Sequence, residues 1–234
     1  MNSLFRRLYV LRHGEVAYFD EERRPLGGRT APLTERGRKQ IGDLAERLAG
    51  CGVDLLVTST LPRALESAGI LANRLALTAV ENEAWNELQP GDLSMIPETD
   101  LRRVIVDAYR SAAAPGARFF EGELFADFAE RVDRGLIELF KDLRWTTAVV
   151  VTHDPVARYL IAKALGLGLA GLQFFEQDAG RLNIIDWAAM PGDVSRPIIR
   201  LMNGTVDNPV KTGSRDPTLV RFYEAYRASR GSAP

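Results

Sequence analysis

Short apolar runs alternate along this chain with stretches in which apolar residues recur every three or four positions. The runs have the length and composition of buried strands, and we predict strands at 7–11, 53–59, 78–84, 146–154, 182–186 and 197–201. The other stretches predict helices at 34–48, 61–77, 98–111, 121–143, 155–165 and 217–228. Strands alternating with helices favour a largely parallel sheet covered on both faces, and the short connection between the last two strands predicts an antiparallel member at one edge.

Local signals mark several helix ends. Thr34 is a good N-cap residue, and Glu35 suits the first turn of the helix that follows. Pro62 stands near the start of the next helix, where its missing N–H costs little. Gly166 is expected to end the helix that begins near Pro155.

Composition narrows the classes of function. The 234 residues include 30 basic and 31 acidic side chains, and a net charge of −1 gives no general reason to expect nucleic acid or a membrane as a partner. Cys51 is the single cysteine, which excludes an intramolecular disulfide and a cysteine-rich metal site. We see no apolar run of about 18 residues for a membrane span and no signal peptide, and we therefore expect a cytoplasmic protein.

The two histidines of the chain each follow a predicted strand, His13 in "LYVLRHGEV" and His153 in "TTAVVVTHD". In sheets of this kind, ligands bind beyond the carboxyl ends of the strands. Arg12 precedes His13, and Arg63 lies near a helix start after the second strand. Together these side chains would form a cationic pocket suited to a phosphate monoester. The arginines would also lower the pKa of His13, which leaves an uncharged imidazole able to attack phosphorus.

A carboxylic acid is needed to protonate the leaving oxygen in such a reaction. Glu87, in "NELQPG", lies in a loop after the third predicted strand. Glu83, Asp92 and Asp154 are rivals in the same region. Position alone does not choose among the four.

The set of motifs resembles the histidine phosphatase superfamily, also called the phosphoglycerate mutase-like superfamily. "LRHGE", "PLTERG", "TSTLPRALESA", "NELQPG" and "VVTHD" occur in the family's order between residue 8 and about residue 160, and "LNIIDW" and "PIIRLMN" are similar to its closing strands. Each motif is weak alone, but the set is specific. The resemblance implies a three-layer α/β/α sandwich, with a mostly parallel sheet and one antiparallel strand.

The same resemblance implies roles for individual residues. His13 would become a phosphohistidine, and Arg12, Arg63 and His153 would complete the phosphate pocket. Glu87 matches the family's proton donor, because a glycine follows four residues later, as in the E-x-x-x-G pattern. The family needs no metal, and we expect no cofactor.

Four positions depart from the family pattern. Val16 and Phe19 stand where a Ser or Thr and an Asn are common, Thr30 replaces a frequent Asp, and Asp154 replaces a frequent glycine after the second histidine. The basic signatures of the cofactor-dependent mutase are also not evident in 92–125. We therefore expect a metal-independent phosphatase acting on a small phosphate monoester. A phosphoglycerate mutase-type phosphotransferase and a non-catalytic phosphate-ligand binder on the same fold are the alternatives.

We expect residues 1–234 to form a single domain in which a segment at about 92–125 forms a lid over the pocket. Trp85, Phe119 and Phe120 would contact an organic leaving group or belong to the core. Four arginines near this segment would bind a second anionic group or form a solvated face: Arg102, Arg103, Arg110 and Arg118. The expected partner is a small phosphorylated substrate, with a homo-oligomer left open.

Overall fold

The computed structural model describes residues 5–18, 30–188, 194, 196–206 and 215–231. Its strands are β1 Phe5–Arg12, β2 Leu55–Thr58, β3 Ala79–Glu81, β4 Thr147–Thr152, β5 Leu182–Ala188 and β6 Pro197–Gly204. Its α-helices are α1 Glu35–Leu48, α2 Pro62–Leu75, α3 Glu98–Val106, α4 Phe125–Lys141, α5 Asp154–Ala164 and α6 Thr218–Gly231. The predicted elements are thus confirmed, with shifted ends. Phe19, noted above as a departure, lies outside the described residues.

The strands form one sheet in the order β3-β2-β4-β1-β5-β6. The pairs among β1 to β4 are parallel, whereas β5 runs antiparallel to both β1 and β6. The predicted sheet, mostly parallel with one antiparallel strand, is confirmed. That strand lies one position inside the edge rather than at it, because β6 pairs with the outer side of β5.

Helices cover both faces of the sheet, and alternate side chains of β1 therefore enter two separate cores. Leu8 and Val10 belong to a core that includes Phe128 of α4. Tyr9 and Leu11 belong to a second core that includes Ile41 of α1. The central strands are buried on both faces, as their continuous apolar sequence predicts.

Helix α4 begins at Phe125, four residues after the predicted start at 121. The preceding residues form a 3-10 turn at Phe119–Glu121, in which Phe120 and Glu121 have φ values of 50° and 61°. This left-handed backbone cannot continue into an α-helix. The apolar period of α4 extends back through Leu124, and this explains why the sequence predicted an earlier start.

Within the described ranges, no single helix is long and apolar enough to cross a membrane. One pair, Asp154–Ala164 with Gly168–Phe174, reaches the required length only together and is bent by 118°.

Candidate active site

The parallel pairing of β1 with β4 sets the two histidines side by side. The His13 N–H donates to the Thr152 carbonyl at 2.9 Å, which extends the ladder one residue beyond β1. His153 follows β4 directly and is the N-cap residue of α5. The two imidazole centroids lie 5.1 Å apart. Both side chains are buried, at the carboxyl edge where sequence reasoning expected a ligand.

The backbone around His13 requires a close approach that only glycine allows. A Cβ atom on Gly14 would lie 2.5 Å from the Gly37 carbonyl oxygen in α1. The Thr34 N–H also donates to the Glu15 carbonyl at 2.9 Å. The loop after β1 is therefore held against the start of α1, and this contact fixes the backbone next to His13.

Two hydrogen bonds define the tautomer of His13. Its Nδ1 lies 2.7 Å from the Gly14 carbonyl oxygen and must donate to it. Its Nε2 accepts from Arg63 Nε at 3.1 Å and so carries a lone pair. Burial, together with Arg12 and Arg63, holds the pKa of His13 well below its usual value. The ring is therefore uncharged at neutral pH, and its lone pair lies on Nε2.

His153 is oriented by a hydroxyl from the loop after β2. Its Nε2 lies 2.8 Å from Ser59 Oγ, and that hydroxyl donates to Asn86 Oδ1 at 2.7 Å. The serine proton is thus used on Asn86, so His153 Nε2 donates to the serine oxygen. The Nδ1 atom therefore faces the site. Burial lowers the pKa of His153 well below its usual value, and repulsion by His13 in its protonated form, by Arg63 and by Arg12 lowers it further.

Glu87 is the carboxylate that reaches this cluster. Its Oε2 lies 3.5 Å from Arg63 Nη2 and 3.6 Å from His153 Nδ1. Burial and the nearby charge of Asp154, opposed by Arg63 and Arg12, raise the pKa of Glu87 to about 7. A carboxyl group with this pKa can both give and accept a proton near neutral pH.

The three rival carboxylates have other surroundings. Glu83 is exposed at the rim of the cavity described below. Asp92 is exposed and caps a 3-10 turn through the Ser94 N–H. Asp154 is buried, but its two oxygens accept from Arg158 Nε at 2.8 Å and from the Tyr109 hydroxyl at 2.9 Å.

We call one group of side chains the cationic cup: Arg12, His13, Arg63 and His153, which are buried, and the partly exposed Glu87. Arg12 Nη1 donates to the Gln177 carbonyl. Three buried atoms of the cup have no hydrogen-bond partner among the described residues: Arg12 Nε, Glu87 Oε1 and His153 Nδ1. Buried polar atoms are normally paired, so these three atoms are available to a polar ligand.

The cup could in principle hold either a metal or an anion. Ligand atoms of His13, Glu87 and His153 lie within 4.8 Å of one another, a spacing that also suits a cation. However, the buried guanidinium groups of Arg12 and Arg63 belong to the same cup and would repel a metal ion. The charges favour an oxyanion. The absence of a metal requirement stays a prediction.

A cavity of about 800 Å³ opens from the cup. Phe119 and Phe120 line it and also belong to the hydrophobic core, whereas Trp85 is fully buried in that core and does not line the cavity. The four arginines considered above for a second anionic group are exposed and do not line this cavity: Arg102, Arg103, Arg110 and Arg118. All four are solvated, and Arg103 and Arg110 are paired with the nearby carboxylates of Asp100 and Asp107.

Sequence reasoning missed several residues that shape the site. Asn86 adjoins Glu87 in a quoted motif, and its amide could have been suggested as a partner for a histidine or serine. Tyr109 reaches Asp154 from the segment after α3, and Phe222 lines the cavity from α6. Gln177 contributes a main-chain carbonyl. No sequence signal identifies these last three residues.

One class of proteins combines this three-layer fold with a buried pair of histidines and arginines at the strand ends. The chain belongs to the histidine phosphatase superfamily (branch 1), whose family model matches residues 8–197. The resemblance found in the sequence is thereby confirmed.

Individual relatives include both phosphatases and mutases. The chain is 29% identical over 182 residues to the adenosylcobalamin/alpha-ribazole phosphatase of Escherichia coli K12, covering 77% of this chain and 89% of that protein. It is also 29% identical over 168 residues to a probable phosphoglycerate mutase, GpmB, of Yersinia pestis, covering 69% and 75%. A crystal structure of a putative alpha-ribazole-5'-P phosphatase from Escherichia coli matches with a TM-score of 0.65 and 27% identity, over 85% of this chain and 96% of that one.

Proposed function

We propose that this protein is a metal-independent phosphatase that hydrolyses a small phosphate monoester through a phosphohistidine on His13. The observation that carries the proposal is the state of the His13 ring. Its Nε2 holds a lone pair inside a buried cup with two arginines, and a carboxyl group with a pKa of about 7 lies in the same cup.

In the first step, the lone pair of His13 Nε2 forms a bond to phosphorus while the bond between phosphorus and the leaving oxygen breaks. Protonated Glu87 gives its proton to that oxygen, and an alcohol departs. In the structure, Arg63 Nε donates to His13 Nε2. This hydrogen bond must break when substrate binds, and the guanidinium group then turns toward a phosphoryl oxygen.

Arg12, Arg63 and His153 stabilise the charge on the three equatorial oxygens. Donors of this kind contribute about 3 kcal/mol each in a water-excluded site. The negative charge of the substrate also favours protonation of His153. The added proton goes to Nδ1, because Nε2 already carries the proton that it donates to the Ser59 oxygen. His153 would then donate from both ring nitrogens.

In the second step, water attacks the phosphohistidine and Glu87 takes its proton. The bond between phosphorus and Nε2 breaks, inorganic phosphate forms, and the lone pair returns to His13. Glu87 is protonated again, which prepares the next turnover. One carboxyl group serves as acid and then as base, which suits a pKa near the working pH.

The segment at 92–125 acts as a wall or lid in this proposal. Its end is attached to the loop that carries Glu87, because the Gly91 N–H donates to the Phe120 carbonyl at 3.1 Å. Gly91 and Gly122 approach too closely to admit side chains, since a Cβ on Gly122 would lie 2.3 Å from the Gly91 nitrogen. Movement of this segment would therefore be felt at Glu87.

A screen of phosphate monoesters tests the proposal, with wild type and His13→Ala compared side by side. We expect the wild type to release inorganic phosphate from at least one ester in the presence of EDTA, and the variant to release none above background. Isomerisation of 3-phosphoglycerate without phosphate release would instead support the mutase alternative. Tight phosphate binding without turnover would support the non-catalytic binder.

A further inference from the structure

The cavity is much larger than a phosphate group needs. Its volume of about 800 Å³ lies within the range of about 300–1,000 Å³ typical of pockets for whole small molecules. The cup occupies one side of the cavity. The remaining walls must therefore select the alcohol part of a substrate.

A row of near-parallel aromatic rings forms one of these walls. The rings of Tyr109 and Phe119 are 5.9 Å apart at 13°, and those of Phe119 and Phe120 are 3.9 Å apart at 21°. Phe120 and Phe222 follow at 6.1 Å and 11°. All four rings line the cavity, and Tyr18 meets Phe222 edge-on at 6.4 Å.

The backbone that presents this wall is strained. Phe120 and the next residue, Glu121, both adopt left-handed φ values, of 50° and 61°. Residues other than glycine rarely take this conformation, and where they do, the strain is commonly found at binding sites. Here it accompanies the stacking of Phe119 on Phe120 at the cavity surface.

The far end of the row comes from a part of the chain that the family model does not match. Phe222 lies in α6, beyond the matched residues 8–197. Helix α6 packs against α3, and an Arg230–Glu98 ion pair at 3.6 Å links the two helices. The last ring of the wall thus lies outside the matched part of the chain, whereas the other three rings lie within it.

Most of the cationic side chains elsewhere in the cavity are already paired with carboxylates, which disfavours a second anionic group on the substrate. Three of the arginines that line it outside the cup are each paired with a carboxylate: Arg36 with Glu15 at 3.2 Å, Arg131 with Glu123 at 3.1 Å and Arg181 with Asp178 at 3.7 Å. The exposed Glu83 adds a further carboxylate at the rim. Arg221 also lines the cavity, but it is exposed to solvent.

We propose that the row Tyr109, Phe119, Phe120 and Phe222 is a binding subsite for a flat aromatic ring, so that the substrate is the phosphate monoester of an uncharged alcohol bearing such a ring. The phosphoryl group occupies the cationic cup while the ring packs against the wall. This inference rests on the proposed function, because it assigns the second half of the same site.

Calorimetric titration with non-hydrolysable phosphonates tests the subsite without any need for turnover. The probes are methylphosphonate, benzylphosphonate and cyclohexylmethylphosphonate. Burial of a ring should make benzylphosphonate bind at least about tenfold more tightly than methylphosphonate. Ring–ring contact should make benzylphosphonate bind about two- to tenfold more tightly than cyclohexylmethylphosphonate.

Phe222→Ala is the test variant, because its side chain is only half-buried and its loss should leave the fold intact. We expect it to remove most of the preference for benzylphosphonate while the affinity for methylphosphonate is unchanged. Phe174→Ala is the matched control, since Phe174 is 66% exposed and does not line the cavity. It should behave as wild type with all three probes.

The possible failures are distinguishable. If wild type binds methylphosphonate and benzylphosphonate equally well, the aromatic subsite is rejected and the cup survives. An equal loss of both affinities in Phe222→Ala also rejects the subsite. If wild type binds neither probe, the cup does not bind anions, and both the proposed function and the subsite are rejected.

Discussion

Glu87→Gln should inactivate the enzyme toward alkyl phosphates and, at the same time, stabilise the fold at alkaline pH. The amide has the shape of the carboxyl group but cannot ionise. Burial raises the pKa of Glu87 from its ordinary value of 4.5 to about 7. Ionisation of Glu87 therefore destabilises the folded protein, whereas the protonated form is the proton donor that the proposed reaction needs.

The magnitude follows from the difference between the two pKa values. The folded protein keeps the Glu87 proton up to a pH of about 7, whereas the unfolded chain loses it near 4.5. Wild-type stability must fall as pH rises through this window and level off above it. At about 1.4 kcal/mol per pKa unit, the whole effect approaches roughly 3 kcal/mol. The side chain is 21% exposed, so this figure is an upper value.

The assay is urea unfolding of wild type and Glu87→Gln at about pH 5 and about pH 8, in buffers free of phosphate, because a ligand of the folded state would add its own stabilisation. We expect the stability of the variant relative to wild type to rise by about 2–3 kcal/mol between the two pH values. Glu83→Gln, a change at an exposed carboxylate on the same loop, should give no such rise. A constant difference for Glu87→Gln, or a change of opposite sign, would show that the pKa of Glu87 is not raised in the folded protein.

Three further outcomes are expected from the same geometry. Asp154→Asn should move the alkaline limb of the kcat/KM profile to lower pH, because the charge of Asp154 helps to raise the pKa of Glu87; an unmoved limb would show that the two groups are not coupled. Ser59→Ala should lower kcat/KM by about tenfold through loss of the hydrogen bond that orients His153, while Ser94→Ala, outside the cavity, serves as its control. Activity measured after dialysis against EDTA should equal that before dialysis, and loss that zinc restores would contradict the metal-free mechanism.

Much of the fold was predictable because its signals are local. The runs before His13 and His153 are apolar on both faces, which predicted buried strands in a sheet covered on both sides. Thr34 accepts from the Gly37 N–H as a capping residue should, and it set the start of α1 correctly. The rule that ligands bind beyond strand ends then predicted where His13 and His153 would meet.

The parts that were missed depend on long-range packing. Nothing local in the sequence indicates that Phe120 adopts a left-handed backbone, and this conformation moved the start of α4. Asn86 becomes an orienting group only because β2 brings Ser59 beside it. Phe222 lies outside every motif of the family, and only the docking of α6 brings it to the cavity. The roles assigned to the five residues of the cup stay predictions until they are measured.

Chemical trapping can show whether His13 Nε2 receives the phosphoryl group. Wild type should be mixed with a ³²P-labelled aryl phosphate, quenched in alkali within the first turnover and digested. The label should be stable to alkali, labile to acid and confined to the peptide that contains His13, and it should be absent from His13→Ala. Full turnover without a trapped label, or a label on the peptide that contains His153, would contradict the account.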